Sequence, residues 1–311
     1  MRIGVFVSET WGDPSDLAEV RARARRAEEL GFASGWIPYL PWSLDALVAL
    51  QAAGEATSRI ELGTSVIPSY LFHPLALARQ ASSVREVLGE RMSLGIGCSQ
   101  QVVIEQMHGI PFERPARHIR EYVEILRLAS QSAGHVGYEG EVFQVNAVFG
   151  TPTAKPYPIL VGALGPLMLQ VAGEFADGTI ATWCDPAAIE RVIVPGVCKA
   201  AEAAQRPAPR VGAVVAVTVT DALDVARDKA REQFSVYDSL PRYKRMVDLG
   251  EGERAADVCV IGNEAEVRRR LRRYADAGLT DLLAAPFVVG EDASASRQRT
   301  LECLADAVRD F

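Results

Sequence analysis

Short runs of apolar, β-branched residues alternate along this chain with longer segments in which apolar residues recur at helical spacing. Runs of about four to eight such residues are typical of strands buried on both faces, and the helical segments indicate helices packed against a sheet. Parallel strands need a crossover connection, which is usually a helix. The alternation therefore constrains the chain to an α/β fold built on a parallel sheet.

Eight strands are predicted, at residues 3–7, 34–37, 60–67, 92–96, 158–161, 179–182, 211–219 and 282–285. Helices are predicted at 15–30, 43–57, 74–88, 115–130, 167–176, 186–204, 264–277 and 296–309, with Ser43 as the N-cap of the second. Four strand and helix units in about a hundred residues match the spacing of a (β/α)8 barrel. We predict a TIM barrel, and a doubly wound sheet is the alternative.

The whole chain of 311 residues is predicted to form one domain, residues 1–311, because α/β barrels often reach this length. Two segments do not fit the strand and helix alternation and are predicted to be insertions, near 133–157 and 235–262. The first segment is predicted to be extended chain. The second is interrupted by Pro241 and by the run of glycines and glutamates at 250–253.

Charge and composition restrict the partners. A net charge of -7 argues against nucleic acid and anionic membranes, which both reward a basic surface, so a small-molecule substrate is expected. No apolar run approaches the roughly 20 residues that span a bilayer. The five cysteines lack CxxC spacing and are too sparse for a disulfide framework. A reducing, cytoplasmic location is expected.

The end of the third predicted strand is the first candidate site. Gly63, Thr64 and Ser65 are small residues near its carboxyl end, where α/β proteins place their ligands. Pro68 ends the strand, and Pro74 opens the next helix. We expect a planar ring to lie against this strand end.

Two further loops offer unhindered backbone. Gly162, Ala163, Leu164 and Gly165 follow the fifth strand and precede Pro166, an arrangement that points backbone N–H groups at a phosphate. The alternative is that both glycines only allow a tight turn. Residues 97–99 form a similar loop after the fourth strand, and together the two loops favour a phosphorylated ligand.

The order of these pieces resembles the luciferase-like monooxygenase superfamily, in its branch of oxidoreductases that use the deazaflavin coenzyme F420. The resemblance covers nearly the whole chain and rests on Leu30-Gly31-Phe32, Gly35-Trp36, residues 58–66, His73-Pro74, residues 91–97, Gly165-Pro166 and residues 172–178. It implies a barrel with insertions, commonly a homodimer, whose members use F420 or FMN.

The resemblance also implies roles for individual residues. Ser65 and Val66 would meet the face of the cofactor ring, with a cis peptide bond between them. Gly97, Cys98 and Ser99 would lie near the cofactor's side chain. Gly162, Ala163, Leu164 and Gly165 would hold its phosphate.

The sequence departs from the sugar-phosphate dehydrogenase pattern of this branch. Pro38-Tyr39-Leu40 replaces an acidic residue and a histidine, and Gln100 replaces a glutamate. A neutral amide is not an acid or base, so the catalytic residues stay unassigned. Phe6, Tyr39, Gln100 and Trp183 fall at strand ends and are candidates for the substrate pocket, although core packing is as plausible for Phe6 and Trp183.

Other chemistries have weaker support. The four histidines show no short metal-ligand spacing, so no metal site is predicted. Three functions remain: an F420-dependent oxidoreductase, which we prefer, an FMN-dependent monooxygenase of the same fold, and a binding protein that keeps the cofactor site without catalysis.

Overall fold

Eight parallel strands close into a barrel in the computed structural model, which describes residues 1–11, 13–132, 134–149 and 155–311. In chain order the strands are β1 (Arg2–Phe6), β2 (Ser34–Ile37), β3 (Glu61–Thr64), β4 (Ile67–Pro68), β5 (Met92–Gly97), β6 (His135–Glu139), β7 (Gln144–Val148), β8 (Ile159–Gly162), β9 (Gly178–Thr182), β10 (Arg210–Val219), β11 (Val260–Gly262) and β12 (Asp281–Pro286). The barrel order is β1-β2-β3-β5-β8-β9-β10-β12, and β12 pairs with β1 to close it.

Helices surround the barrel. They are α1 (Leu17–Glu29), α2 (Ala46–Glu55), α3 (Pro74–Leu88), α4 (Pro115–Gln131), α5 (Pro166–Phe175), α6 (Pro186–Ala188), α7 (Val194–Ala203), α8 (Leu223–Asp238), α9 (Pro241–Leu249), α10 (Ala255–Val258), α11 (Glu264–Asp276) and α12 (Ala293–Ala307). Two π-helical turns, Val103–Met107 and Ile189–Ile193, follow β5 and join α6 to α7. The main hydrophobic core lies between the strands and these helices.

The predicted barrel is confirmed, with two local differences. The third predicted strand is divided into β3 and β4, which flank Ser65 and Val66. The predicted N-cap of α2 is wrong: Asp45, not Ser43, accepts hydrogen bonds from the first N–H groups of the helix. Ser43 instead hydrogen-bonds Leu40 in the preceding turn, which moves the start of the helix along the chain.

The two segments predicted as insertions contain their own elements. In the first, β6 and β7 form an antiparallel hairpin, and residues 133 and 150–154 lie outside the described part of the chain. In the second, α9, α10 and β11 follow α8, and β11 pairs with the end of the long strand β10. The assignment of residues 1–311 to a single domain stays a prediction.

The inside of the barrel is filled by a small cluster of inward-facing side chains. Trp36 is fully buried at its centre, and its indole N–H donates to Ser34 Oγ at 2.8 Å. A Cβ atom on Gly63 would lie 2.5 Å from Cζ3 of Trp36, and one on Gly4 would lie 2.8 Å from its Nε1. The indole therefore occupies space that is free because the two neighbouring strands, β1 and β3, have glycine at these positions. The other members of the cluster are Phe6, Leu160, Ile180, Val214, Leu283 and Ala285.

The amino-terminal end of the barrel is closed by ion pairs. Arg210 contacts Glu61 at 2.8 Å and Asp281 at 2.7 Å, and Arg2 pairs with the same two carboxylates. Burial acts to raise the pKa of Asp281, but the hydrogen bonds and charge of Arg210 outweigh it and lower the pKa. The filled interior and this network leave the carboxyl end as the open side of the barrel.

Within the described ranges, no helix combines the length and apolarity that a bilayer crossing requires. The same part of the chain contains no group of three or more histidine, cysteine, aspartate or glutamate side chains placed to hold a metal ion.

We predict that Gly63→Ala destabilises the protein by about 1 to 3 kcal/mol, the usual cost of overpacking a core. The new methyl group would meet both the ring of Trp36 and the carbonyl oxygen of Ser93, which lies 2.9 Å from the Cβ position. Chemical denaturation measures the free energy of unfolding. Gly165→Ala is the control, because a Cβ there meets nothing within 4 Å. Equal stability of the two variants would contradict this packing argument.

Candidate functional site

A cavity of about 490 Å³ lies at the carboxyl end of the barrel, above the Trp36 cluster. Its size is in the range of small-molecule sites. All nine residues predicted for the cofactor line it: Ser65, Val66, Gly97, Cys98, Ser99, Gly162, Ala163, Leu164 and Gly165. The four substrate-pocket candidates Phe6, Tyr39, Gln100 and Trp183 line the same cavity. The structure thus brings the predicted residues together, and their roles stay proposals.

The peptide bond between Ser65 and Val66 is cis, as predicted. The side chain of Val66 faces two glycines: a Cβ on Gly97 would lie 2.8 Å from Val66 Cγ2, and one on Gly162 would lie 3.3 Å from it. Side chains at those positions would crowd Val66. Gly97 and Gly162, at the ends of β5 and β8, therefore make room for Val66, which follows β3. Because neither glycine has a side chain, this side of the cavity is flat.

Thr64 holds β3 in register with β5 directly below this surface. Its hydroxyl donates to the carbonyl of Gly95 and accepts from the N–H of the same residue, both at 2.9 Å. The hydroxyl oxygen of Ser65, one residue on, is buried and has no hydrogen-bond partner in the described part of the chain. Buried hydroxyl groups are usually hydrogen-bonded. The hydroxyl of Ser65 is therefore available to a polar atom of a ligand.

The phosphate-loop candidate runs directly into α5. Gly165 is the N-cap, Pro166 is the first helical residue, and no side chain in the described ranges caps the helix. The first N–H groups of a helix have no partner within the helix and favour an anion. A Cβ on Gly165 would meet nothing within 4 Å, so the space beside this helix start is open.

The loop after β5 carries a strained residue and an unreactive thiol. Ser99 has φ of 63°, an uncommon conformation for a residue with a side chain. Burial raises the pKa of Cys98 to about 12, and its thiol contacts the carbonyl of Pro115 at 3.5 Å. A thiol with so high a pKa is a poor nucleophile, which agrees with a position in a cofactor loop.

An aromatic wall, formed by Trp11, Trp183 and Tyr237, lines another part of the cavity. Trp183 has φ of 58°, and its ring centroid lies 4.4 Å from that of Tyr237 and 5.6 Å from that of Trp11. The indole of Trp11 donates to the hydroxyl of Tyr237 at 2.7 Å. The indole nitrogen of Trp183 is buried without a partner among the described residues. This wall suits an apolar ligand that carries a hydrogen-bond acceptor.

Several residues that line the cavity were not predicted from the sequence. Trp11 and Glu9 follow β1, whereas Tyr237, Arg242, Tyr243, Arg245 and Met246 come from α8 and α9. Burial raises the pKa of Tyr243, and a hydrogen bond with Gln100 partly offsets this. Glu9 was detectable because it follows β1 within three residues, but the contributions of α9 depend on how that segment folds back over the barrel.

Glu9 is the one carboxyl group among the described residues that line the cavity. Burial raises its pKa, with a smaller raising effect from Asp13, while a hydrogen bond from Trp42 and the charge of Arg23 act in the opposite direction. A carboxyl with a raised pKa stays protonated to higher pH and can therefore donate a proton.

Known proteins are similar to this chain in sequence and in fold. An F420-dependent glucose-6-phosphate dehydrogenase of Amycolatopsis mediterranei is 26% identical over 91% of this chain and 92% of its own. A solved F420-dependent secondary alcohol dehydrogenase, in complex with an F420-acetone adduct, has a TM-score of 0.82 at 18% identity over 99% of both chains. The FMN-bound oxygenating component of 3,6-diketocamphane monooxygenase from Pseudomonas putida has a TM-score of 0.75 at 18% identity, covering 99% of this chain and 97% of that one.

The two solved structures establish the fold alone at these identities. The sequence model of the luciferase-like monooxygenase family matches residues 1–281, which is most of the chain. The closed barrel, the cis peptide bond after β3 and the glycine loops agree with the resemblance on which the prediction was based. This protein belongs to the luciferase-like monooxygenase family.

Proposed function

We propose that this protein is an F420-dependent oxidoreductase that transfers a hydride between the deazaflavin and a small organic substrate. The observation that carries the proposal is the convergence of three strand ends on one cavity, where the side chain of Val66 packs on Gly97 and Gly162. Relatives named as F420-dependent enzymes support the choice of cofactor.

The residues present fit such a cofactor. Val66 and the glycines beside it provide a surface for one ring face, and the buried hydroxyl of Ser65 is free for a polar atom of the ring. The backbone from Gly162 to Gly165 and the uncapped start of α5 would hold the phosphate. When bound, the deazaflavin supplies the hydride chemistry.

The protein's own residues then position the substrate and handle the proton. The aromatic wall of Trp11, Trp183 and Tyr237 excludes water from the reacting face. Hydride transfer to or from a carbon bonded to oxygen or nitrogen also moves a proton at that heteroatom. We assign this proton to the carboxyl of Glu9, because the cavity lining offers no other carboxyl within the described residues.

An FMN-dependent monooxygenase is the second candidate. Similarity to an FMN-bound enzyme of the same fold favours it, and the loop from Gly162 to Gly165 suits a phosphate monoester equally well. The two cofactors therefore have to be distinguished by binding. A protein that binds the cofactor without turnover is the third candidate.

The proposal is tested by titrating the purified protein with F420 and, separately, with FMN while following cofactor fluorescence. We expect F420 to bind at least tenfold more tightly than FMN, which corresponds to a difference of about 1.4 kcal/mol in binding free energy. Tighter binding of FMN would overturn the choice of cofactor, and binding of neither would overturn the assignment of the cavity.

The same titration on Gly162→Val tests the phosphate loop. A Cβ there already approaches Val66 Cγ2 to 3.3 Å, so the branched side chain must extend into the cavity. We expect cofactor affinity to fall by about a hundredfold. Circular dichroism should show that the variant keeps the folded barrel. Retained affinity in the folded variant would remove this residue from the site.

We also predict that Glu9→Gln stabilises the protein by an amount that increases with pH. Because the pKa of Glu9 is raised in the folded state, ionisation costs stability as the pH rises above the unfolded value of about 4.3. Below that pH both side chains are neutral and the difference should vanish. Thermal unfolding from pH 4 to pH 8 measures it, with Glu291→Gln, at an exposed position, as the control for charge. A difference independent of pH would show that Glu9 is not desolvated.

A further inference from the structure

We propose that Arg242 and Arg245 form a second anion-binding element at the mouth of the cavity, which recognises a carboxylate of the bound ligand. This element is separate from the backbone loop at Gly162–Gly165. The inference rests on the proposed function, because it concerns ligands of the same cavity.

The position of α9 places both arginines on one side of the helix. Arg242, Tyr243, Arg245 and Met246 all line the cavity. Arg242 and Arg245 are three residues apart and are therefore neighbours on the helix surface. Lys244 points elsewhere and pairs with Asp248 along the same helix. The cationic groups of α9 are therefore divided between a lysine that pairs within the helix and two arginines that line the cavity.

Neighbouring residues hold α9 in this position. The ring of Tyr243 lies edge-on to that of Tyr237 on α8, 5.6 Å between centroids. Beyond the carboxyl end of the helix, Asp185 accepts the N–H of Glu251 at 2.6 Å. These contacts hold α9 against α8 and against the loop that follows β9.

Neutral groups fix the guanidinium of Arg242. It lies over the ring of Phe112, 5.0 Å from the centroid, and donates to the carbonyl of Ser99 at 3.4 Å. No carboxylate of the described residues lies within 4.0 Å of Arg242 or Arg245, whereas Arg210 and Arg299 each pair with two. The Arg242 charge is thus positioned without being neutralised.

The positive charge acts on the cavity itself. Arg242 opposes the rise that burial causes in the pKa of Cys98 and also opposes it for Tyr243, so its field reaches both the cofactor loop and the α9 side. This is a cationic rim on a protein with a net charge of -7. A planar guanidinium matches a carboxylate or phosphate through paired hydrogen bonds.

Two sources could supply the carboxylate. F420 carries glutamate carboxylates beyond its phosphate, whereas FMN ends at the phosphate, so the arginines could bind the tail of the cofactor. Alternatively, the substrate itself is an organic acid. Either source would present a carboxylate to the arginines. The ligands used in the test distinguish the two sources.

The test compares wild-type protein with the double variant Arg242→Gln/Arg245→Gln. The control is Arg25→Gln/Arg79→Gln, which removes two exposed arginines of α1 and α3 and has the same charge change. Each protein is titrated with F420 and with the deazaflavin analogue of FMN, which keeps the phosphate but lacks the glutamate tail. When loaded with cofactor, each protein is also titrated with benzoate and with benzamide.

If the tail is the ligand, the double variant binds F420 on the order of tenfold more weakly while its affinity for the tail-less deazaflavin is unchanged. If the substrate is the ligand, both cofactor affinities persist and the variant loses binding of benzoate but not of benzamide. Raised salt should reduce either difference. Equal affinities for all four ligands in the variant, the control and the wild type would overturn the proposal.

Failure of the proposed function is distinguishable from failure of this inference. A wild-type protein that binds FMN and neither deazaflavin would refute F420 dependence. The benzoate and benzamide titrations on FMN-loaded protein would then decide the role of the arginines, with loss of benzoate binding in the variant as the supporting result and no loss as the contrary one.

Discussion

The packing of Trp36 inside the barrel determines where a ligand can bind. Its indole fills the lower interior because Gly4 and Gly63 have no side chains there, and the ion pairs of Arg210 close the end beneath it. Eight parallel strands can enclose little more than their own side chains at this diameter. The space above Trp36, at the carboxyl ends of the strands, is therefore where loops and inserted helices can build a cavity.

The site above Trp36 depends on a second set of small residues. Gly97 and Gly162 leave room for Val66, so residues from three strand ends form one surface. The sequence suggested that Gly162 either allows a tight turn or exposes backbone to a phosphate, and that Gly97 leaves the backbone of its loop unhindered. The structure adds a third reason, which is contact with a side chain from another strand. Such a contact has no signature in local spacing, because it depends on which strands become neighbours.

The parts of the protein that follow local patterns were predictable. The eight barrel strands follow from apolar runs, and the residues at their ends follow from the strand boundaries, so Phe6, Tyr39, Gln100 and Trp183 reached the cavity as expected. The prediction of cofactor roles for individual residues and the prediction of the cis bond needed the family resemblance as well. The contribution of α9 was not predictable, since Pro241 and the glycines at 250 and 252 indicated only an interruption. Which face of that helix meets the barrel is fixed by contacts such as those of Tyr243 and Asp185, which are distant in sequence.

A crystal structure of the protein with F420 bound would test the account most directly. The account predicts that one face of the deazaflavin ring contacts Val66 and that the phosphate accepts hydrogen bonds from the backbone between Gly162 and the start of α5. The opposite ring face should look toward Trp183 and Glu9. A ring bound elsewhere in the cavity, or a phosphate held away from that loop, would contradict the central claim that these strand ends form the cofactor site.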